Sequence, residues 1–301
     1  METRRLSFFA EGRPLQGTLV LPGQAARAPA VVLCHGFGSY DDDLGAFQRM
    51  AESLAQAGLA SFRFSFSGSD PYPEKGTIRP ASQWVNDCLA AVLRVRQEAG
   101  VDAERIGLLG MSVGGGVVIQ VAALCRRVRC VVALAPVADG EAWLRHRWLA
   151  TRGEAAWAEF VAEVEADQEA VVRGEPSRSV PHFEVQALPD EEQWDLLLAR
   201  FPRLLRHLTL TSVWDTFRFK PLNYAHAVSQ PLRIVHGDAD ESVPLEQGRR
   251  LHQQAQGPKE LCVLPGAPHC CWETPREGEV QRLSADWLKR WLAGGPAAPA
   301  E

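Results

Sequence analysis

The stretch "APAVVLCHG" (28–36) is an almost unbroken apolar run of strand length. Such a run reads as a strand buried on both faces, which requires helices above and below the sheet. The rest of the chain keeps a matching rhythm. "LSFFA", "GTLVLP", "LASFRFSFSG", "RIGLLGMS", "CVVALAPV", "PLRIVHGDAD" and "ELCVLPG" read as further strands. Between them lie segments with helical spacing, such as "LGAFQRMAESLAQAG", closed by Gly58, and "SQWVNDCLAAVLRVRQEAG". A helix also follows "RIGLLGMS", another spans "LEQGRRLHQQAQ", and the last runs through "EVQRLSADWLKRWLAGG". Strand–helix alternation of this kind predicts an α/β chain with a mostly parallel, eight-stranded sheet and helices on both faces.

The alternation stops between about Asp139 and Gln230. That interval is too long for a simple connection. "EAAWAEFVAEVEADQEAVV" places Trp157, Phe160, Val161 and Val164 on one helical face, and "EEQWDLLLARF" does the same for Trp194, Leu197, Leu198 and Phe201. The segment reads as a mostly helical insertion, with Pro176 and Pro181 marking a loop inside it. The expected division is a core of residues 1–138 and 230–295, a helical cap insertion of 139–229, and a flexible tail of 296–301. Five of the nine tryptophans fall in the insertion. Their bland reading is local packing; the sharper one is that some face a substrate.

Composition removes several functions. The formal net charge of −5 argues against a nucleic-acid partner, which a basic surface would serve. No apolar stretch reaches the ~18 residues that suggest a membrane span. The opening residues hold too short an apolar run for a signal peptide. Seven cysteines lack the spacing of a disulfide framework or a zinc site, which suits a reducing cytoplasm. Cys34, Cys125, Cys130 and Cys262 read as small buried hydrophobes, and Cys270 and Cys271 as neighbours in a turn.

The chemistry concentrates at strand ends. In "LLGMSVGGG" Ser112 stands between a strand and a helix, flanked by Gly110 and Gly114. A serine at such a turn is held in a strained conformation that exposes Oγ above the sheet. The N–H of Val113 then opens a helix, where it stabilises negative charge. A serine needs a base. Of the two histidines after residue 240, His252 lies within a predicted helix and His269 in the loop "LPGAPHCCW", so His269 is the expected base. "HGDADESVP" offers Asp238, Asp240 and Glu241, with Asp240 favoured as the acid. In "CHGFGSYDDD" the glycines let the backbone approach a ligand, and Phe37 N–H is the expected second oxyanion donor. His35 is expected to brace that loop. Asp41–Asp43 read as a solvated rim or a helix cap.

Together "HGFGS", "GMSVGG", "HGDADESVP" and "GAPH" resemble the α/β-hydrolase superfamily, and the likeness spans nearly the whole chain apart from the insertion. The resemblance implies Ser112 as nucleophile, Asp240 as acid, His269 as base, and Phe37 and Val113 as oxyanion donors. "RFSFSGSD" and "FKPLNYAHAVSQPLRIVHGDADESVPLEQ" are similar to the feruloyl-type esterases and the prolyl-oligopeptidase-like hydrolases, although the insertion is longer than expected for the former. The expected activity is cleavage of a carboxylic ester of a small or medium acyl substrate through an acyl-enzyme, with no cofactor and no metal. The alternatives are a thioesterase or acyltransferase, an aminopeptidase-like amidase, and a ligand-binding pseudohydrolase. Trp143, Trp148 and Trp214, with Trp272 from the His269 loop, are the candidate walls of the acyl pocket. Arg145, His146 and Arg147 read as a solvated hinge that alternatively orients an anionic end of the substrate. The expected partner is a small-molecule acyl substrate, met by a monomer or homodimer.

Overall fold

The computed structural model describes residues 1–23, 27–188, 191–269 and 275–294. The chain opens with strands β1 (Glu2–Ala10), β2 (Arg13–Leu21) and β3 (Ala28–Cys34). Helix α1 (Ala46–Gln56), strand β4 (Ala60–Phe64), a π-turn at Pro80–Trp84 and helix α2 (Val85–Val95) follow. Then come β5 (Val101–Met111), α3 (Val113–Leu124) and β6 (Val128–Leu134). After the insertion the rhythm resumes with β9 (Leu232–Gly237), α10 (Leu245–Gln254), β10 (Lys259–Leu264) and α11 (Glu277–Leu292).

These eight strands form one sheet in the order β1-β2-β4-β3-β5-β6-β9-β10. Strand β2 pairs antiparallel with both β1 and β4, and every other pairing is parallel. The α/β fold with helices on both faces is as the sequence predicts. The two-residue period of a strand sorts each buried run between two cores. In β3, Ala30, Val32 and Cys34 join the core under α2 and α3, while Val31 and Leu33 join the core under α1 and α11. The apolar run is continuous because both cores need it.

Between β6 and β9 lie α4 (Gly140–Thr151), α5 (Gly153–Val172), β7 (Ser179–Pro181), α6 (His182–Val185), α7 (Glu191–Arg200), β8 (His207–Thr209), α8 (Leu210–Phe217) and α9 (Leu222–Ala225). The segment is mostly helical, as read from its periodicity. One feature differs from that reading. The expected loop around Pro181 contains a short strand, β7, which pairs antiparallel with β8. Helix α4 starts where the Asp139 side chain accepts the Ala142 N–H at 3.0 Å. The apolar stripe of α5 joins the main core: Trp157, Phe160 and Val164 belong to the same buried cluster as Val117 and Ile234. Asp215 of α8 ties the segment to the π-turn by accepting from Ala81 N–H at 2.7 Å and from the Ser82 hydroxyl at 2.7 Å. Cys34 and Cys130 are buried as expected, whereas Cys125 and Cys262 are only half-buried. Cys270, Cys271, Trp272 and the expected tail lie outside the described residues. Among the described residues no helix is long and apolar enough to cross a membrane.

Candidate active site

Ser112 sits between β5 and α3 with φ 54° and ψ −117°. This left-handed region costs a residue with a Cβ roughly 1–3 kcal/mol. The surroundings hold it there. Its N–H donates to Leu134 O at 2.8 Å, and its carbonyl accepts from Val137 N–H at 3.0 Å and Gly116 N–H at 3.1 Å. The neighbouring glycines are required by space. A Cβ on Gly110 would stand 2.2 Å from Gly114 O, and one on Gly114 would stand 2.3 Å from both Cys34 O and His35 O. The elbow is therefore packed against the end of β3.

His269 comes from the loop after β10, and Asp240 from the turn after β9. Nε2 of His269 lies 3.1 Å from Ser112 Oγ, and Nδ1 lies 2.7 Å from Asp240 Oδ2. A carboxylate only accepts, so Nδ1 carries the proton and Nε2 accepts from the serine hydroxyl. Asp240 is itself held. Its Oδ1 accepts from Ser242 N–H at 2.9 Å and Val243 N–H at 2.7 Å. His236 contributes from β9. Its Nε2 donates to Val243 O at 2.8 Å and lies 3.3 Å from Asp240 Oδ2. Burial opposes ionisation of Asp240. Electrostatic attraction to the His269 ring and hydrogen bonds from His236, His269 and Val243 outweigh it and hold the carboxyl well below the usual range. Asp238 does a different job, accepting Gly266 N–H at 2.6 Å.

The loop after β3 faces Ser112. Its Phe37 N–H donates to no acceptor among the described residues, and Val113 N–H opens α3, where no intrahelical acceptor exists. His35 braces this loop. Its Nδ1–H donates to Gly36 O at 2.8 Å, and its Nε2 accepts Phe66 N–H at 3.0 Å. Burial lowers its pKa to about 4, so the ring stays neutral, as this bonding demands. A second brace, unseen in the sequence, is His182 of α6. Its Nδ1–H donates to Leu205 O at 2.8 Å and its Nε2 accepts the Gln186 amide at 2.6 Å. Its ring packs edge-on against Phe37 at 5.5 Å, and a Cβ on Gly38 would lie 2.1 Å from its Cε1. Leu205 N–H donates to Gly38 O at 3.0 Å. Of the acidic run, Asp41 pairs with Arg203 at 2.8 Å, Asp42 accepts Gln48 N–H at 2.8 Å beside α1, and buried Asp43 accepts Gly36 N–H at 3.3 Å. Among the described residues no group of His, Cys, Asp and Glu is arranged to hold a metal ion.

A strained serine under a helix N-terminus, on this sheet order, agrees with what sequence comparison finds. The model of the family described as serine aminopeptidase S33 matches residues 25–275. The chain belongs to that family of α/β hydrolases. It is 27% identical to an uncharacterised 31.7 kDa protein of the traX–finO intergenic region of Escherichia coli, over 91% of this chain and 95% of the relative. It is 26% identical to the thiohydrolase aneE of Aspergillus aculeatus, over 83% of this chain and 81% of that protein. The crystal structure of the α/β hydrolase GrgF from Penicillium sp. sh18 superposes with a TM-score of 0.81 at 21% identity, covering 98% of this chain and all of GrgF, 100%.

In this S33-family chain Ser112 and His269 open into a cavity of about 410 Å³. The core supplies Phe37, Leu44, Met111 and Ser242 to its lining. The segment between β6 and β9 supplies Trp143, Arg147, His182, Gln186 and Leu188, and then Trp194, Leu197 and Leu204. Trp143 is where the sequence reading expected it, edge-on to Phe37 at 5.2 Å. Trp148 and Trp214 are not in the lining, which corrects their assignment. Trp148 stacks on Phe160 at 4.3 Å and donates its Nε1–H to Val185 O at 3.0 Å; Trp214 packs half-buried on the main core. Their apolar faces meet neighbouring helices first. Trp194 takes a wall position instead, with Leu197 and Leu204, from a stretch for which the sequence left packing and substrate contact both open. The hinge reading of the Arg145–Arg147 run holds for Arg145, which pairs with Glu154 in solvent, and fails for Arg147.

Proposed function

We propose that the protein is a serine hydrolase of carboxylic esters with small or medium acyl groups, using Ser112, His269 and Asp240 as one unit. The observation that carries this reading is the continuous hydrogen-bonded relay from Ser112 Oγ through His269 to Asp240, at the floor of a largely apolar cavity. Ser112 Oγ attacks the acyl carbon while His269 Nε2 takes its proton. Asp240 holds the ring by its Nδ1–H and stabilises the imidazolium that forms. The N–H groups of Phe37 and Val113 take up the charge on the carbonyl oxygen. His269 then passes its proton to the leaving oxygen, the alcohol departs, and water, activated by the same imidazole, releases the acid. In this reading residues 139–229 act as a cap. They supply the apolar wall that meets the acyl chain and the His182 brace behind the Phe37 loop. Cleavage or transfer of a thioester by the same three groups is the second reading, supported by the 26% identity with a thiohydrolase. Among the described residues the cysteines are free and mostly buried, which fits a cytoplasmic setting.

A fluorophosphonate probe and a substrate panel test this. Labelling at Ser112 that vanishes in Ser112→Ala supports a serine enzyme. A folded protein that never labels favours a pseudohydrolase. Turnover of p-nitrophenyl esters, acyl thioesters and aminoacyl amides then separates the ester reading from its rivals; faster turnover of thioesters or amides would displace it.

A further inference from the structure

Arg147 lies on α4 one turn beyond Trp143, and both side chains line the cavity that holds Ser112. The lining of that cavity is chiefly apolar, with Phe37, Leu188 and Trp194 among its members, and it also includes Asp43, which accepts the Gly36 N–H at 3.3 Å. Its Nε–H donates to Gln186 O at 2.7 Å, which fixes the guanidinium by one edge. Among the described residues neither Nη group has a hydrogen-bond acceptor or a carboxylate within salt-bridge range. Two other partly withdrawn arginines, Arg203 and Arg13, are matched. Arg203 holds Asp41 and Asp70 at 2.8 and 2.7 Å, and Arg13 reaches buried Asp87 at 3.4 Å. Asp240 and Glu241 attract Arg147 only from a distance, and the Asp240 carboxylate is already taken up by His269, Ser242 and Val243. Burial lowers the pKa of Arg147, the mark of a cation withdrawn from water, yet a guanidinium remains protonated throughout the working range. A charge held this way, with its bidentate edge unmatched, gains most from an anionic oxyacid brought by a ligand.

We propose that Arg147 is an anion anchor in the substrate cavity, so that the protein selects esters or thioesters carrying a carboxylate or phosphate over neutral ones of equal length. This rests on the hydrolase reading of Ser112, His269 and Asp240. The anion has two possible sources, a carboxylate on the acyl side or a phosphate on the leaving-group side. Mono-4-nitrophenyl adipate and suberate, compared with 4-nitrophenyl hexanoate and octanoate, report the first. S-octanoyl-phosphopantetheine, compared with S-octanoyl-pantetheine, reports the second. For at least one pair the wild-type chain should favour the anionic member in kcat/KM. Arg147→Gln should reduce that preference about ten- to hundredfold, mainly through KM, and Arg147→Lys should restore part of it. The pair that responds names the source. Unchanged ratios in Arg147→Gln, or a wild-type preference for the neutral member of both pairs, would overturn the proposal. Circular dichroism of both variants separates misfolding from lost recognition. Calorimetric binding of suberate and of phosphopantetheine gives a readout independent of turnover. If no ester or thioester is cleaved, the hydrolase reading fails, while binding that is lost in Arg147→Gln still supports the anchor and equal or absent binding ends it.

Discussion

The relay at Ser112 makes unequal demands on the two aspartates after β9. Asp240 has both oxygens engaged, one by His269 and the other by two N–H groups. In Asp240→Asn an amide NH2 must face a donor whichever way it turns, so the imidazole loses its tautomer. We expect kcat to fall by about 10⁴-fold, close to the loss in Ser112→Ala or His269→Ala, because the three act together. Asp238 accepts a single N–H from Gly266, and an asparagine oxygen does that equally well, so Asp238→Asn should be mild. Steady-state kinetics of the two variants decide the assignment, and a more harmful Asp238→Asn would reverse it. The elbow glycines are as exposed to test. Gly114→Ala drives a methyl into the carbonyls of Cys34 and His35, so it should yield insoluble protein or a lowered Tm as well as lost activity. The serine, its glycines and the histidine were legible in the sequence because a strand-to-helix turn has a local signature. His236 and His182 were not, since each acts on a residue its own local pattern does not name as a partner.

At the scale of elements, the loop after β3 is clamped from two sides by neutral histidines. His35 holds it from the sheet and His182 from α6. Burial depresses both pKa values from 6.5 to about 4. Above about pH 6.5 these rings are neutral folded or unfolded, and the full stability is present. As the pH falls toward 4 the unfolded chain takes up protons that the native state refuses, and stability is lost across that window. Each histidine contributes on the order of 1.4 kcal/mol per pH unit there. Asp87, whose carboxyl burial pushes up, acts with the opposite sign, adding stability as the pH falls toward the ordinary carboxylate range. Urea midpoints at pH 7 and pH 5 should therefore differ, with the lower value in acid, and His182→Gln should flatten the difference. A midpoint that does not change between those values would refute the linkage. Within the insertion, Trp194→Ala and Leu197→Ala should change acyl-chain-length preference more than the rate of fluorophosphonate labelling, and Trp148→Ala should chiefly lower Tm.

The molecule as a whole does not divide as simply as the alternation of its sequence suggests. Residues of α4, α5 and α8 share one buried cluster with β3, β5 and β9, and Leu205 and His182 reach the Phe37 loop. Replacing residues 141–226 by a short Gly-Ser linker would strip that cluster of Trp143, Trp157 and Phe160. We expect a chain with a markedly lower Tm and slower fluorophosphonate labelling, measured by calorimetry and by labelling kinetics; full stability after excision would contradict the shared core. The sequence by itself determined the sheet, because apolar runs of period two and helices of period 3.6 are written locally. It also determined the serine elbow, through glycines that a strained turn needs. Only the tertiary structure decided which insertion side chains meet the cavity that holds Ser112. Periodicity says which residues share a helix face, but not which neighbour that face finds. Trp148 finds Phe160, Trp194 finds His182 and the cavity, and Arg147, one turn from Trp143, is held at the cavity wall without a carboxylate partner among the described residues.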